Sequence, residues 1–155
     1  MRNRFLLLLL ALLIVGTACN RDPNVAKKRF VESGNKYYEK AKYKEALIMY
    51  RKALQKDMRF GEAYYRSALA EVKLGRYSDA VRDLQRAVEL QPENLDAHTR
   101  LTNLFLNAYL ADRRRPQEYI DEMRAIRDRM NTRFPGSYEL ERLNGYIALA
   151  EAKPK

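Results

Sequence analysis

The chain has one cysteine, one histidine, six glycines and five prolines in 155 residues. A single cysteine excludes an intramolecular disulfide, so oxidation adds nothing to the fold. One histidine and one cysteine cannot supply a metal-ligand set or a Cys-His nucleophile pair. So few glycines and prolines leave little room for a loop-rich or all-β protein. No alternating run of Val, Ile and Thr argues for a strand. Neither a glycine-rich phosphate loop nor a Gly-x-Ser-x-Gly elbow occurs. The expectation is therefore a non-enzyme without catalytic residues, metal, cofactor or small-molecule substrate. What is present is 46% hydrophobic and 32% charged residues, with a formal net charge of +10. Bases and acids alternate along the helical stretches, as in Asp79, Arg82, Asp83 and Arg86. Such mixtures read as solvated helix faces, not as a phosphate-binding surface, and no nucleic-acid partner is expected.

Long apolar runs are also scarce. Phe5–Val15 spans 11 residues, short of the roughly 20 that a membrane-spanning helix needs. Arg2 and Arg4 precede it, as in the start of a signal peptide. Gly16-Thr17-Ala18-Cys19 follows and resembles the lipobox of bacterial lipoproteins, with Gly16 where that family more often has leucine. The resemblance implies cleavage after Ala18, a diacylglyceryl group on the Cys19 sulfur and acylation of the new amino group. One acyl chain anchors marginally, whereas two or three anchor stably. Asn20 stands where the family's inner-membrane signal has aspartate, which implies the periplasmic side of the outer membrane. Residues 1–18 are read as signal peptide and 19–26 as lipidated anchor and linker. A helix is expected to start near Val25. Lys27, Lys28 and Arg29 open it, either over anionic headgroups or as a solvated helix start.

Gly61–Asn94 organises the rest. It reads as two amphipathic helices, Glu62–Leu74 and Ser78–Leu90, with Gly75 and Arg76 at the turn and Pro92 closing the unit. Small residues fall where the helices meet: Ala68, Ala80 and Ala87. A copy at Lys27–Phe60 aligns 34 residues earlier, matching Gly34 to Ala68, Ala46 to Ala80, Ala53 to Ala87 and Tyr50 to Leu84. Period and residues resemble the tetratricopeptide repeat. The first copy reads Phe30-x2-Ser33-Gly34-x2-Tyr37, then Ala46-x3-Tyr50. The second reads Tyr64-x2-Ser67-Ala68-x2-Glu71, then Ala80-x3-Leu84 and Pro92, with Glu71 the clearest departure.

A third, divergent copy covers residues 95–137, 43 residues in all. His98 takes the place of Phe30 and Tyr64 and is expected to pack. The first helix is expected to reach about Leu110, followed by an insertion, Ala111–Pro116. Pro116 is expected to open the second helix, whose stripe is Tyr119, Met123, Ile126, Met130 and Phe134. Arg113–Arg115 form a loop tip, either solvated or facing an acidic partner or a membrane. Residues 138–155 read as a terminal helix through Leu140, Leu143, Tyr146, Ile147 and Ala150. It is either a cap or the front of a truncated fourth repeat.

The resemblance implies an all-α solenoid of about three repeats plus a terminal helix. In that family the first helix of each repeat lines a concave groove for extended peptides or partner helices. The matching candidates are Asn35, Tyr38, Tyr65, Arg66, Leu69, Lys73, Arg100, Asn103 and Asn107. Asn35 and Asn103 can each bond twice to a peptide backbone, and Arg66, Lys73 and Arg100 attract carboxylates. Some members clamp a C-terminal carboxylate with Lys, Asn and Arg. Here Asn35 and Arg100 fall at such places, but Val31 and Asp96 stand where lysines are needed. The expected function is a membrane-anchored interaction scaffold in the bacterial envelope, serving assembly, secretion or polysaccharide export. The alternatives are an electrostatic membrane-surface binder through the two basic segments and a non-catalytic subunit of an envelope enzyme complex.

Overall fold

A computed structural model describes residues 22–152. The expected signal peptide, Cys19 and the last three residues lie outside the described residues. Seven helices occur among them: α1 (Pro23–Glu39), α2 (Tyr43–Lys56), α3 (Gly61–Lys73), α4 (Tyr77–Leu90), α5 (Leu95–Ala111), α6 (Gln117–Arg133) and α7 (Tyr138–Ala152). No strand occurs among the described residues, and no described helix is long and apolar enough to cross a membrane. Each helix packs on its sequence neighbours, and α1 also touches α3, as α5 touches α7. That pattern is a stack of helical pairs.

Local chemistry sets the ends. Asp22 caps α1 by accepting from the Asn24 N–H at 2.8 Å, and Pro23 fills the first helical place. Asn94 caps α5 through the Ala97 N–H at 3.0 Å. The turn between α3 and α4 needs a left-handed residue, and Gly75 supplies it with φ +72°. In the first pair the same place, 34 residues earlier, holds Ala41 at φ 57°. Pro116 differs from the expectation: it is the N-cap of α6, with extended ψ of 132°, and the helix begins at Gln117.

The small residues lie where the helices cross. Ala46, Ala53, Ala68, Ala80 and Ala87 are fully buried. A Cβ on Gly34 would sit 2.3 Å from the Tyr50 ring, so the large ring of α2 demands glycine on α1. In the second pair Leu84 is the smaller counterpart of Tyr50, and Ala68 fits. The apolar interior falls into two clusters that divide at α3. Ala63 and Ala70 join α1 and α2, whereas Ala68 joins α4 to α7. On α6 the buried stripe is Ile120, Met123, Ile126 and Met130, with Tyr119 and Phe134 only half-buried at its margins.

Asp83 departs from the expected solvated face. It is 5% exposed, because it lies on the side of α4 turned toward α3. Near it, Glu71 is fully buried and accepts from Arg51 of the preceding pair at 2.9 Å. Burial, reinforced by the neighbouring Asp83 charge, pushes the Glu71 carboxyl up to about 7 against the pull of Arg51. The departure at Glu71 is thus an ionic joint between the first and second pairs. His98 packs as expected: it is 1% exposed, edge-on to Phe134 at 5.7 Å, and its Nε2–H donates to the Pro92 carbonyl. Burial lowers its pKa and keeps it neutral.

Candidate peptide groove

The candidate side chains come from α1, α3 and α5, the first helices of the three pairs, and the strongest connection joins α3 to α5. Tyr65 Oη donates to the Asp96 carboxylate. Arg100 Nε donates to Asp96 at 2.7 Å and to Tyr65 Oη at 3.2 Å. Arg100 and Asp96 are one helical turn apart, so the pair is a local i,i+4 bridge. Burial opposes the Asp96 charge, but the bonds from Tyr65 and Arg100 win and hold its carboxyl below the usual range. The same burial, with the Asp96 bond, raises the Tyr65 hydroxyl. Arg66 bonds Glu62 at 3.3 Å and lies over the Tyr65 ring at 5.7 Å. Tyr65, Arg66 and Arg100 therefore form one polar cluster around Asp96 and Glu62.

The first pair contributes separately. Asn35 accepts from Tyr50 Oη at 2.9 Å. Its carbonyl oxygen is thus engaged inside the fold, and only its amide N–H2 remains for a ligand, one function fewer than expected. Tyr38 is half-buried and meets Tyr43 edge-on at 5.1 Å. Leu69 and Asn103 are half-buried, and Lys73 is exposed. Asn107 lies apart from the Tyr65 cluster, at the rim of a cavity of about 570 Å³ between α4, α5 and α6. Val31 is 4% exposed and belongs to the core of the first pair, so that place presents neither a charge nor a contact surface.

The carboxylate clamp is incomplete on geometric grounds as well. Arg100 already carries the Asp96 carboxylate, and neither lysine has a counterpart. At the basic start of α1, Lys27 is likewise engaged: it pairs with Asp57 at 2.6 Å and lies over the Phe60 ring at 4.8 Å, whereas Lys28 and Arg29 are exposed. The Arg51–Glu71 joint and the burial of Asp83 differ from the sequence expectations. One signal was available, since Glu71 occupies a repeat position that the first copy fills with Tyr37.

Known proteins bear on the fold. The tetratricopeptide repeat family model matches residues 61–94. Sperm-associated antigen 1 of Rattus norvegicus is 30% identical over 108 residues, 68% of this chain and 11% of that protein. Hsp70-Hsp90 organizing protein 3 of Arabidopsis thaliana is 25% identical over 146 residues, 86% of this chain and 26% of that protein. The chain thus spans only a minor part of these relatives. Among solved structures, the first TPR of Spaghetti (RPAP3), bound to the HSP90 peptide SRMEEVD, superposes with TM-score 0.62 at 21% identity, covering 83% of this chain and 94% of that one. A thermophilic TPR protein of Thermus thermophilus superposes with TM-score 0.62 at 23% identity, covering 81% and 66%. The chain has an all-α tetratricopeptide-repeat fold, and residues 61–94 are a tetratricopeptide repeat.

Proposed function

We propose that this chain is a non-catalytic scaffold that holds a partner polypeptide against α1, α3 and α5, while a lipidated Cys19 tethers it to the envelope. The observation that carries the groove reading is the Tyr65–Asp96–Arg100 cluster. It joins two repeats and offers donors and an acceptor side by side on one face. Structural relatives include the Spaghetti domain bound to an HSP90 peptide and the yeast Sti1 domain in its pHsp70 complex. With one lysine position buried and the other acidic, the groove here takes an internal segment of its partner better than a free C-terminus. The tether rests on the residues around Gly16–Cys19 and holds the protein on the periplasmic side, in the outer membrane where the cell has one.

The test is capture of partners from solubilised membranes by the wild-type chain, by Cys19→Ser and by Arg66→Glu/Arg100→Glu. The groove variant is expected to lose the specific partner, and Cys19→Ser to move to the soluble fraction. A groove variant that keeps every partner contradicts the groove. Absence of fatty-acid label on wild-type Cys19 contradicts the tether alone.

A further inference from the structure

The insertion in the third pair lengthens α5 and α6 and leaves apolar surface beside α7. Leu106, Tyr109 and Leu110 of α5 face Tyr146 and Leu149 of α7 across an open pocket of about 230 Å³. Leu110 is 57% exposed and Leu149 64%. The pocket is smaller than the roughly 300 Å³ at which drug-sized sites begin, so it suits side chains. One guanidinium, that of Arg115, stands at its lip, and a second, that of Arg142, lies beside it against the Tyr146 ring. Arg115 lies over the Tyr109 ring at 5.9 Å. Arg142, outside the lining, is shared between the rings of Tyr138 and Tyr146, each at 5.9 Å. Among the described residues neither has an ion pair, whereas the neighbouring Arg114 pairs with Asp112 and Arg124 with Glu151. Arg115 also holds a left-handed backbone, φ 48°, which costs an L-residue of this size free energy.

We propose that this pocket is the anchor point for an acidic segment of the partner polypeptide, with one large apolar side chain between Tyr109 and Tyr146 and flanking carboxylates on Arg115 and Arg142. Charge complementarity sets the character of the occupant. The pocket floor is apolar, Arg115 at its lip and Arg142 beside it lack ion pairs among the described residues, and placement over the rings leaves guanidinium edges available for bidentate carboxylates. The occupant is thus an acidic, apolar peptide and not a neutral or basic one. The proposal rests on the reading that the chain binds a polypeptide, and it adds a site beyond the Tyr65 cluster.

The test is selection from a random peptide-display library on the full chain in phosphatidylcholine nanodiscs, with empty nanodiscs subtracted. The expected result is enrichment of peptides with Asp or Glu beside Leu, Ile or Phe. Affinity of a selected peptide should fall about tenfold or more in Arg115→Glu/Arg142→Glu, a change of about 1.4 kcal/mol or more. It should fall less in Arg115→Lys/Arg142→Lys, which keeps the charges but loses the bidentate fork, and unchanged helical circular dichroism should accompany both variants. Enrichment of peptides without acids, or affinity indifferent to the Glu variant, overturns the pocket. If selected peptides lose affinity only in Arg66→Glu/Arg100→Glu, the pocket fails and the groove stands. If nothing is enriched, the pocket is overturned, and binding of anionic vesicles through Arg115 and Arg142 instead assigns the cations to lipid.

Discussion

Arg51 of α2 donates to Glu71 of α3 across the junction between the first two helical pairs, at 2.9 Å. Glu71 is fully buried, and its second carboxylate oxygen has no hydrogen-bond partner. Asp83 stands near it, with its own carboxyl raised by burial. A buried carboxylate with one cationic partner and an acidic neighbour is poorly compensated as an anion.

The pH dependence of stability follows. Glu71 has a folded value of about 7 against 4.5 for the free side chain, so the folded state binds the proton more tightly. Its contribution to stability is complete below about pH 4.5 and is lost as pH rises through about 7. His98 runs the other way, since its lowered folded value costs stability as pH falls through its unfolded value of 6.5. Comparison with Glu71→Gln isolates the carboxyl. Relative to wild type, the Gln variant should gain on the order of 2–3 kcal/mol between pH 4.5 and 7.5. Urea titrations of both proteins across that range check it, and parallel curves contradict the buried joint.

Gly34 and Tyr50 form a size-matched pair. Gly34→Ala should destabilise by about 1–3 kcal/mol through the clash with the ring. Tyr50→Leu reproduces the Ala68–Leu84 arrangement of the next pair. In the Gly34→Ala background its cost should therefore be smaller than in wild type, despite the lost bond to Asn35. A double-mutant cycle measures the coupling, and strict additivity argues against close packing at this crossing.

Ala41 performs the turn that Gly75 performs 34 residues later, but with a Cβ. The left-handed conformation costs an L-residue about 1–2 kcal/mol, partly offset by the greater freedom of glycine when unfolded. Ala41→Gly should raise stability by about 0.5–1 kcal/mol, visible as a small rise in Tm. The matched change Gly75→Ala should lower it.

The legible and illegible parts of this chain separate by the range of the interaction. Ala46, Ala80, Ala53 and Ala87 could be placed because a helix crossing demands small residues and the demand recurs every 34 positions. The turn at Gly75 could be placed because one residue carries it. The Arg51–Glu71 joint could not, since it links two copies and neither copy shows it alone. Asp83 reads in sequence like its exposed neighbours Arg82 and Arg86, and only the rotation of α4 against α3 buries it. Ile120 was missed because Tyr119 fits the same stripe, one position away. Among the groove candidates, Tyr65, Arg66 and Arg100 proved to be one cluster. Asn35 proved half committed to Tyr50, a bond from α2 that the spacing of α1 does not contain.

The most direct measurement is site-specific photo-crosslinking with benzoylphenylalanine at Tyr65, at Asn103 and, on the exposed side of α4, at Arg86. One partner should crosslink from positions 65 and 103 and not from 86, and Arg66→Glu/Arg100→Glu should abolish both products. Equal crosslinking from all three positions, or capture from position 86 alone, contradicts a groove on α1, α3 and α5.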